Sequence, residues 1–294
     1  MTSLLISNIN SESHFEIIES VIVKRNEFFK ENLDSNINIY IILNYNISEN
    51  KSFIDYIQKK YPKIIFLSKG KTIKNPDYFI NCTIYDNLCG FPPIEKQDIC
   101  MNTNSNKKYI SHNFTSKTKE NPNIFYLTPF SNKNYFKADI LPFSDEKYKS
   151  EFPIYVVQGS FDKTRRNYKL LTTILSRKYK YKFKIRLIGK GKFPKELENY
   201  KQYIEIKNNL NFVDYHKEFL DVFCILPLIT KKTHPHYYNN KLTSTINYIN
   251  GYNLKCLIDK DLQYIYNLDN VEIFINENDI ATAFERTLED FYRN

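Results

Sequence analysis

Thr243, Ser244 and Thr245 follow closely on Lys241 where an apolar run of helical length begins. The first amides of a helix lack intrahelical partners, so they form a ready site for an anion. Thr243 or Ser244 would also serve as an ordinary N-cap. A cap needs one hydroxyl, however, and here three adjoin a lysine, which favours phosphate binding. A second basic group lies in the run Gly159-Ser-Phe-Asp-Lys-Thr-Arg165-Arg166. Gly159 permits a tight turn out of a strand, and the two arginines then stand at the start of the next helix. Guanidinium donors and the helix dipole can act there together on a phosphate, although a solvated pair of surface arginines has the same pattern.

A third group, Gly189-Lys190-Gly191, closes another apolar run and offers Lys190 to the same phosphates. The glycines also serve simply to turn the chain, since neither GxGxxG nor a Walker A sequence is present. His234 and His236 make a His-x-His with Tyr237 and Tyr238 beside it. No carboxylate or cysteine accompanies them at ligand spacing, so no metal is expected.

Elements that position these residues can be read from hydrophobic periodicity. In the first half, strands are expected at residues 4–9, 38–43, 64–67, 78–84, 124–127 and 138–141, and helices at 11–32 and 51–60. Residues 90–121 are loop-rich, with a short apolar segment at 109–110 leading to His112. The charged, proline-bounded stretch 142–153 reads as a linker. The second half starts anew, with strands at 154–158, 183–188, 203–206, 223–226, 254–258 and 271–275. Helices are expected there at 167–178, 194–200, 215–222, 244–252, around 262–266 and at 279–292, with a long loop at 227–243. Alternation of this kind argues for parallel βαβ units. The economical fold is α/β: two Rossmann-like domains with parallel sheets facing across a cleft, at 1–148 and 149–294.

Bulk properties narrow the function. The chain of 294 residues carries a net charge of +9, with 19 basic and 16 acidic side chains in residues 1–150 and 23 and 17 in the rest. The excess sits in the half assigned to an anionic ligand. No dense Lys/Arg block occurs, so nucleic acid is not expected as a partner. The five cysteines form no CxxC pair, and Cys224 and Cys256 fall in expected strands. Reduced thiols and a cytoplasmic protein follow. No apolar run approaches the roughly 20 residues that span a bilayer, and the first residues lack the basic start of a signal peptide. Lys, Asn, Ile, Tyr and Phe dominate, as an AT-rich genome would dictate.

Residues 152–266, with the basic and hydroxyl clusters at their strand exits, resemble the donor-binding half of a GT-B glycosyltransferase. The first half resembles that family in architecture alone. The resemblance implies metal-independent transfer of a sugar from a nucleotide-sugar donor, a UDP- or GDP-sugar, to a glycan or protein acceptor, with no further cofactor. A catalytically silent module that binds nucleotide or glycan is the alternative. Similar AT-rich proteins, resembling enzymes that decorate surface glycans, are encoded by large amoeba-infecting DNA viruses. By this likeness Gly159, Arg165, Arg166, Lys190, Lys241, Thr243 and Ser244 hold the donor diphosphate. Ser160 stands where the family has its first basic residue, and Arg165 or Arg166 matches the second. Phe212 lines the base pocket, and His234 and Tyr237 overhang the sugar. His112, or alternatively Asp86, projects from the N-terminal domain as general base. The family's ribose-gripping Glu has no counterpart: Ser244, Thr245 or Asn247 occupies its place.

Overall fold

A computed structural model describes residues 2–8, 15–33, 37–43, 51–67, 71, 73–82, 106–111, 123–126, 150–239 and 241–293. The chain divides into two compact units, Met1–Phe130 with Asn240–Leu242, and Ser131–Asn239 with Thr243–Asn294.

In the N-terminal unit the order is β1 (Ser3–Asn8), α1 (Phe15–Phe29), β2 (Asn38–Leu43), α2 (Lys51–Lys60), β3 (Ile64–Leu67), β4 (Tyr78–Asn81), β5 (Lys107–Ser111) and β6 (Ile124–Tyr126). These strands form one sheet in the order β3-β2-β1-β4-β5-β6, with every pairing parallel. Leu4, Leu5 and Ile6 in β1, and Ile41, Ile42 and Leu43 in β2, are all buried. Such unbroken apolar runs suit strands covered on both faces. Glu19 of α1 is fully buried, and its Oε1 accepts from the Tyr56 hydroxyl at 2.8 Å and from Lys60 Nζ at 2.5 Å. The carboxylate is thereby paired inside the unit. The strand expected at 138–141 and residues 142–149 of the expected linker lie outside the described residues.

The C-terminal unit repeats the plan. It contains β7 (Ile154–Ser160), α3 (Tyr168–Leu175), β8 (Lys184–Lys190), a 3₁₀ helix (Lys195–Tyr203), β9 (Ile204–Asn208), α4 (Phe212–Lys217), β10 (Cys224–Ile225), α5 (His236–Asn239), α6 (Thr245–Tyr252), β11 (Lys255–Asp259), α7 (Lys260–Tyr266), β12 (Val271–Phe274) and α8 (Ile280–Arg293). Its sheet runs β12-β11-β10-β7-β8-β9, again all parallel. Counted from the first strand of each unit, both sheets have the Rossmann order 3-2-1-4-5-6. Helices α3 and α8 pack on the core through residues such as Leu170, Ile174, Ile280, Phe284 and Leu288, the last three spaced four apart on one face of α8. Deep in that core, Tyr155 shares a 2.7 Å hydrogen bond with Thr287, so its hydroxyl is satisfied.

Local chemistry explains where elements depart from expectation. The segment expected as a helix at 194–200 is a 3₁₀ helix in which Leu197 alone is buried, too narrow an apolar stripe to favour the α-helical period. Helix α4 starts at Phe212, three residues earlier than expected, because Asn211 Oδ1 accepts from Asp214 N at 3.0 Å and caps it. Asn253 and Asn267 end α6 and α7 in the left-handed region, at φ 53° and 47°. Asparagine takes there the role that glycine usually fills.

Candidate functional site

Ligands of an open parallel sheet gather outside the carboxyl ends of its strands, where the strand order reverses. In the C-terminal unit that point lies between β7 and β10. β7 ends in Gln158, Gly159 and Ser160, with Gly159 at φ +114°. A Cβ on Gly159 would approach Arg166 Nη2 to 2.9 Å, so the missing side chain is what admits the guanidinium.

Arg166 is 4% exposed. Its Nε donates to the Gln158 carbonyl at 3.1 Å, Nη2 donates to the same oxygen, and Nη1 donates to the Arg165 carbonyl at 2.7 Å. Nη2 also reaches Thr245 Oγ1 at 3.5 Å, and that hydroxyl donates to Gln158 Oε1 at 3.3 Å. Arg166 makes no ion pair among the described residues. Burial pushes its guanidinium below the ordinary value, while Tyr237, Tyr168 and Tyr215 act in the opposite sense. A buried cation facing tyrosines and carbonyls leaves positive potential to be met by an incoming anion. Arg165, next to it, is exposed, and its side chain makes no hydrogen bond or ion pair among the described residues.

The start of α6 completes the site. Ser244 occupies the N-cap position with helical backbone angles and no side-chain cap bond. Thr245 N donates to Thr243 Oγ1 at 3.4 Å, Ile246 N to the Thr243 carbonyl at 3.3 Å and Asn247 N to that of Ser244 at 3.1 Å. The Ser244 hydroxyl and amide have no partner among the described residues. Thr243 and Thr245 are both buried, and the contact from Thr245 to Arg166 ties the helix start to the end of β7.

His234 stands beside the same arginine. It is 1% exposed, its Nδ1 lies 2.7 Å from Thr233 Oγ1, and its Nε2 is buried without a partner. Burial, then the charge of Arg166, holds its pKa down at about 4, so the ring is neutral near pH 7. Tyr237, on α5, stacks against it with ring centroids 6.1 Å apart. Arg166, Thr245, Thr243, His234 and Tyr237 therefore form one constellation, whereas the sequence had offered them as three separate motifs.

No family model matches this chain, and no curated protein matches it in sequence. Solved structures do match it in shape. A glycosyltransferase from Rickettsia africae aligns with a TM-score of 0.56 at 12% identity, over 99% of this chain and 89% of that one. Sucrose-phosphate synthase from Thermosynechococcus elongatus gives 0.55 at 10%, over 99% and 90%. HepE from Anabaena, solved with UDP and glucose, gives 0.53 at 6%, over 100% and 91%. The fold is GT-B.

The structure places the other expected residues of this GT-B chain as follows. Lys190 ends β8 exposed, and its carbonyl accepts from Phe161 N at 2.9 Å. Phe212 opens α4 half-buried, with its ring 4.6 Å from that of His216 at the edge of an aromatic group that includes Phe219 and Tyr248. Lys241 is half-buried and groups with the N-terminal unit. His112 and Asp86 lie outside the described residues. The first turn of α6 carries no acidic residue. Among the described residues, no three His, Cys, Asp or Glu side chains cluster closely enough to hold a metal ion. Nor, among them, is any helix long and apolar enough to cross a membrane.

Gln158 escaped the sequence reading as a site residue. A polar residue closing an otherwise apolar strand was the available signal for Gln158, because a buried amide must find hydrogen-bond partners.

Proposed function

We propose that this GT-B chain is a glycosyltransferase that moves a sugar from a nucleotide-sugar donor to a glycan or protein acceptor. The observation that carries the reading is Arg166, a buried cation without an ion pair among the described residues, held between the end of β7 and the start of α6 at the switch point. A diphosphate supplies the charge such a place lacks. In this reading residues 149–294 hold the donor and residues 1–148 receive the acceptor. Arg165, Lys190, Lys241, Thr243 and Ser244 contact the diphosphate, and Arg166 acts as a fixed charge beneath it. Phe212 flanks the base, and His234 and Tyr237 face the sugar.

In the reaction, the bond between the anomeric carbon and the diphosphate oxygen breaks, and its electron pair leaves with the diphosphate. The acceptor hydroxyl oxygen bonds to that carbon, and its proton passes to a base, His112 or Asp86. Preorganised positive charge stabilises the leaving diphosphate without a metal ion. A cytoplasmic setting and a UDP donor fit this chemistry, and the composition fits the glycan-decorating enzymes of large DNA viruses noted above.

A second reading, a module that binds nucleotide without turnover, is favoured by the absence of a carboxylate in the first turn of α6. A panel of UDP-, GDP- and dTDP-sugars separates the two. The transferase releases nucleotide from at least one donor, slowly without acceptor. Binding without release from any donor would establish the silent module. In calorimetry, the double variant Arg165→Ala/Lys241→Ala is expected to lose about 2 kcal/mol or more of nucleoside-diphosphate affinity. Unchanged affinity would remove the site.

A further inference from the structure

A cavity of about 340 Å³ lies between the exits of β7 and β8 in the C-terminal unit. Its apolar walls are Phe161 and Phe193. The two exits are locked together there: Phe161 N donates to the Lys190 carbonyl at 2.9 Å, and Gly191 sits at φ +129°, where a Cβ would come within 3.2 Å of Phe161 Cβ. Three lysines, Lys163, Lys192 and Lys195, also line the cavity and are exposed, with no ion pair or hydrogen bond among the described residues. Against them stands one carboxylate, Glu196. Tyr168, 3% exposed, borders the same space, and its buried hydroxyl has no hydrogen-bond partner.

We propose that this cavity binds a small organic phosphate. Three ammonium groups against Glu196, with Asp162 beside Lys163 as a further carboxylate, leave a net positive charge that attracts a phosphomonoester dianion. The Tyr168 hydroxyl, buried at the border of the cavity without a partner, is the donor available to a phosphate oxygen that reaches it. Phe161 and Phe193 receive the apolar or planar body of the ligand, so inorganic phosphate binds more weakly than its organic esters. The cavity meets the surroundings of Arg166 at Tyr168, which borders both, but its argument stands whether or not the chain transfers sugars.

Phenyl phosphate is the probe, titrated calorimetrically into the full chain. The expected result is saturable binding with one site, at least about tenfold tighter than inorganic phosphate. In the variant Lys163→Ala/Lys192→Ala/Lys195→Ala the affinity falls about tenfold or more. In Tyr168→Phe it falls severalfold while the melting temperature is unchanged or higher, because an unsatisfied buried hydroxyl has been removed. Absence of saturable binding, or an affinity for phenyl phosphate unchanged in both variants, overturns the site. A competition arm identifies the source of the ligand. Displacement of phenyl phosphate by UDP means that the cavity holds part of the nucleotide, and simultaneous binding means a second ligand; both outcomes uphold an organic-phosphate site. Arg165→Ala separates the two proposals, since it leaves phenyl phosphate binding intact even where UDP binding is lost.

Discussion

A Cβ placed on Gly189 would lie 1.7 Å from the carbonyl oxygen of Gly159. The two glycines are register partners in β7 and β8, at the strand ends that lead into the Arg166 loop. No rotamer relieves such an overlap, because both atoms are fixed by the backbone. Gly189→Ala is expected to cost about 3 kcal/mol or more, the upper range for forced overpacking, read from the shift of a urea unfolding curve. An unfolding midpoint equal to that of the parent chain would show that the strands separate freely here.

Ser244 is an N-cap by position only. Loss of a working Ser cap costs roughly 0.5–2 kcal/mol, but this hydroxyl makes no cap bond. Ser244→Ala is therefore expected to leave stability within about 0.5 kcal/mol of the parent. The same change weakens UDP binding in calorimetry. A loss of stability with UDP binding untouched would return Ser244 to an ordinary capping role.

The adjacent arginines should separate cleanly under mutation. Arg165 is exposed, and its side chain makes no hydrogen bond or ion pair among the described residues, so Arg165→Ala lowers nucleotide affinity and leaves the melting curve in place. Arg166 donates to the carbonyls of Gln158 and Arg165. Arg166→Ala leaves buried acceptors unmet and a cavity, at a cost of about 2–4 kcal/mol. Differential scanning calorimetry of both variants, with and without UDP, checks the contrast. Equal destabilisation by the two substitutions would contradict it.

His234 links stability to pH. The histidine titrates near 6.5 when unfolded and at about 4 in the folded protein. Between these values the unfolded chain binds a proton that the folded protein refuses. The contribution is therefore intact above about pH 6.5 and declines as pH falls toward 4, by roughly 3 kcal/mol in all. His234→Gln should flatten that part of the profile measured by denaturant unfolding at stepped pH. A parallel slope in the variant would assign the effect to other groups.

Much of the fold was legible because parallel strands covered on both faces announce themselves as unbroken apolar runs, as 39–43 and 154–157 do. Boundaries were less so. The start of α4 depended on a single Asn211 cap, and α5 is four residues within a long polar loop, too short to show a period. At the site, the clusters around Arg166 and Thr243 were readable as basic and hydroxyl groups. Which of two neighbouring arginines turns inward was not, because side-chain direction there follows from the space left by Gly159, seven residues back across a loop. The burial of His234 was hidden for a similar reason: a histidine among threonines, lysines and prolines carries no apolar signature of its own.

A positive group sealed inside the domain, without a counter-charge among the described residues, also bears on turnover. If a diphosphate is the missing anion, the donor acts as a structural component for as long as it stays, and the C-terminal unit is tightest when loaded. Each departure of nucleotide then returns the domain to its looser form, so the step that frees the product is coupled to a softening of the fold itself.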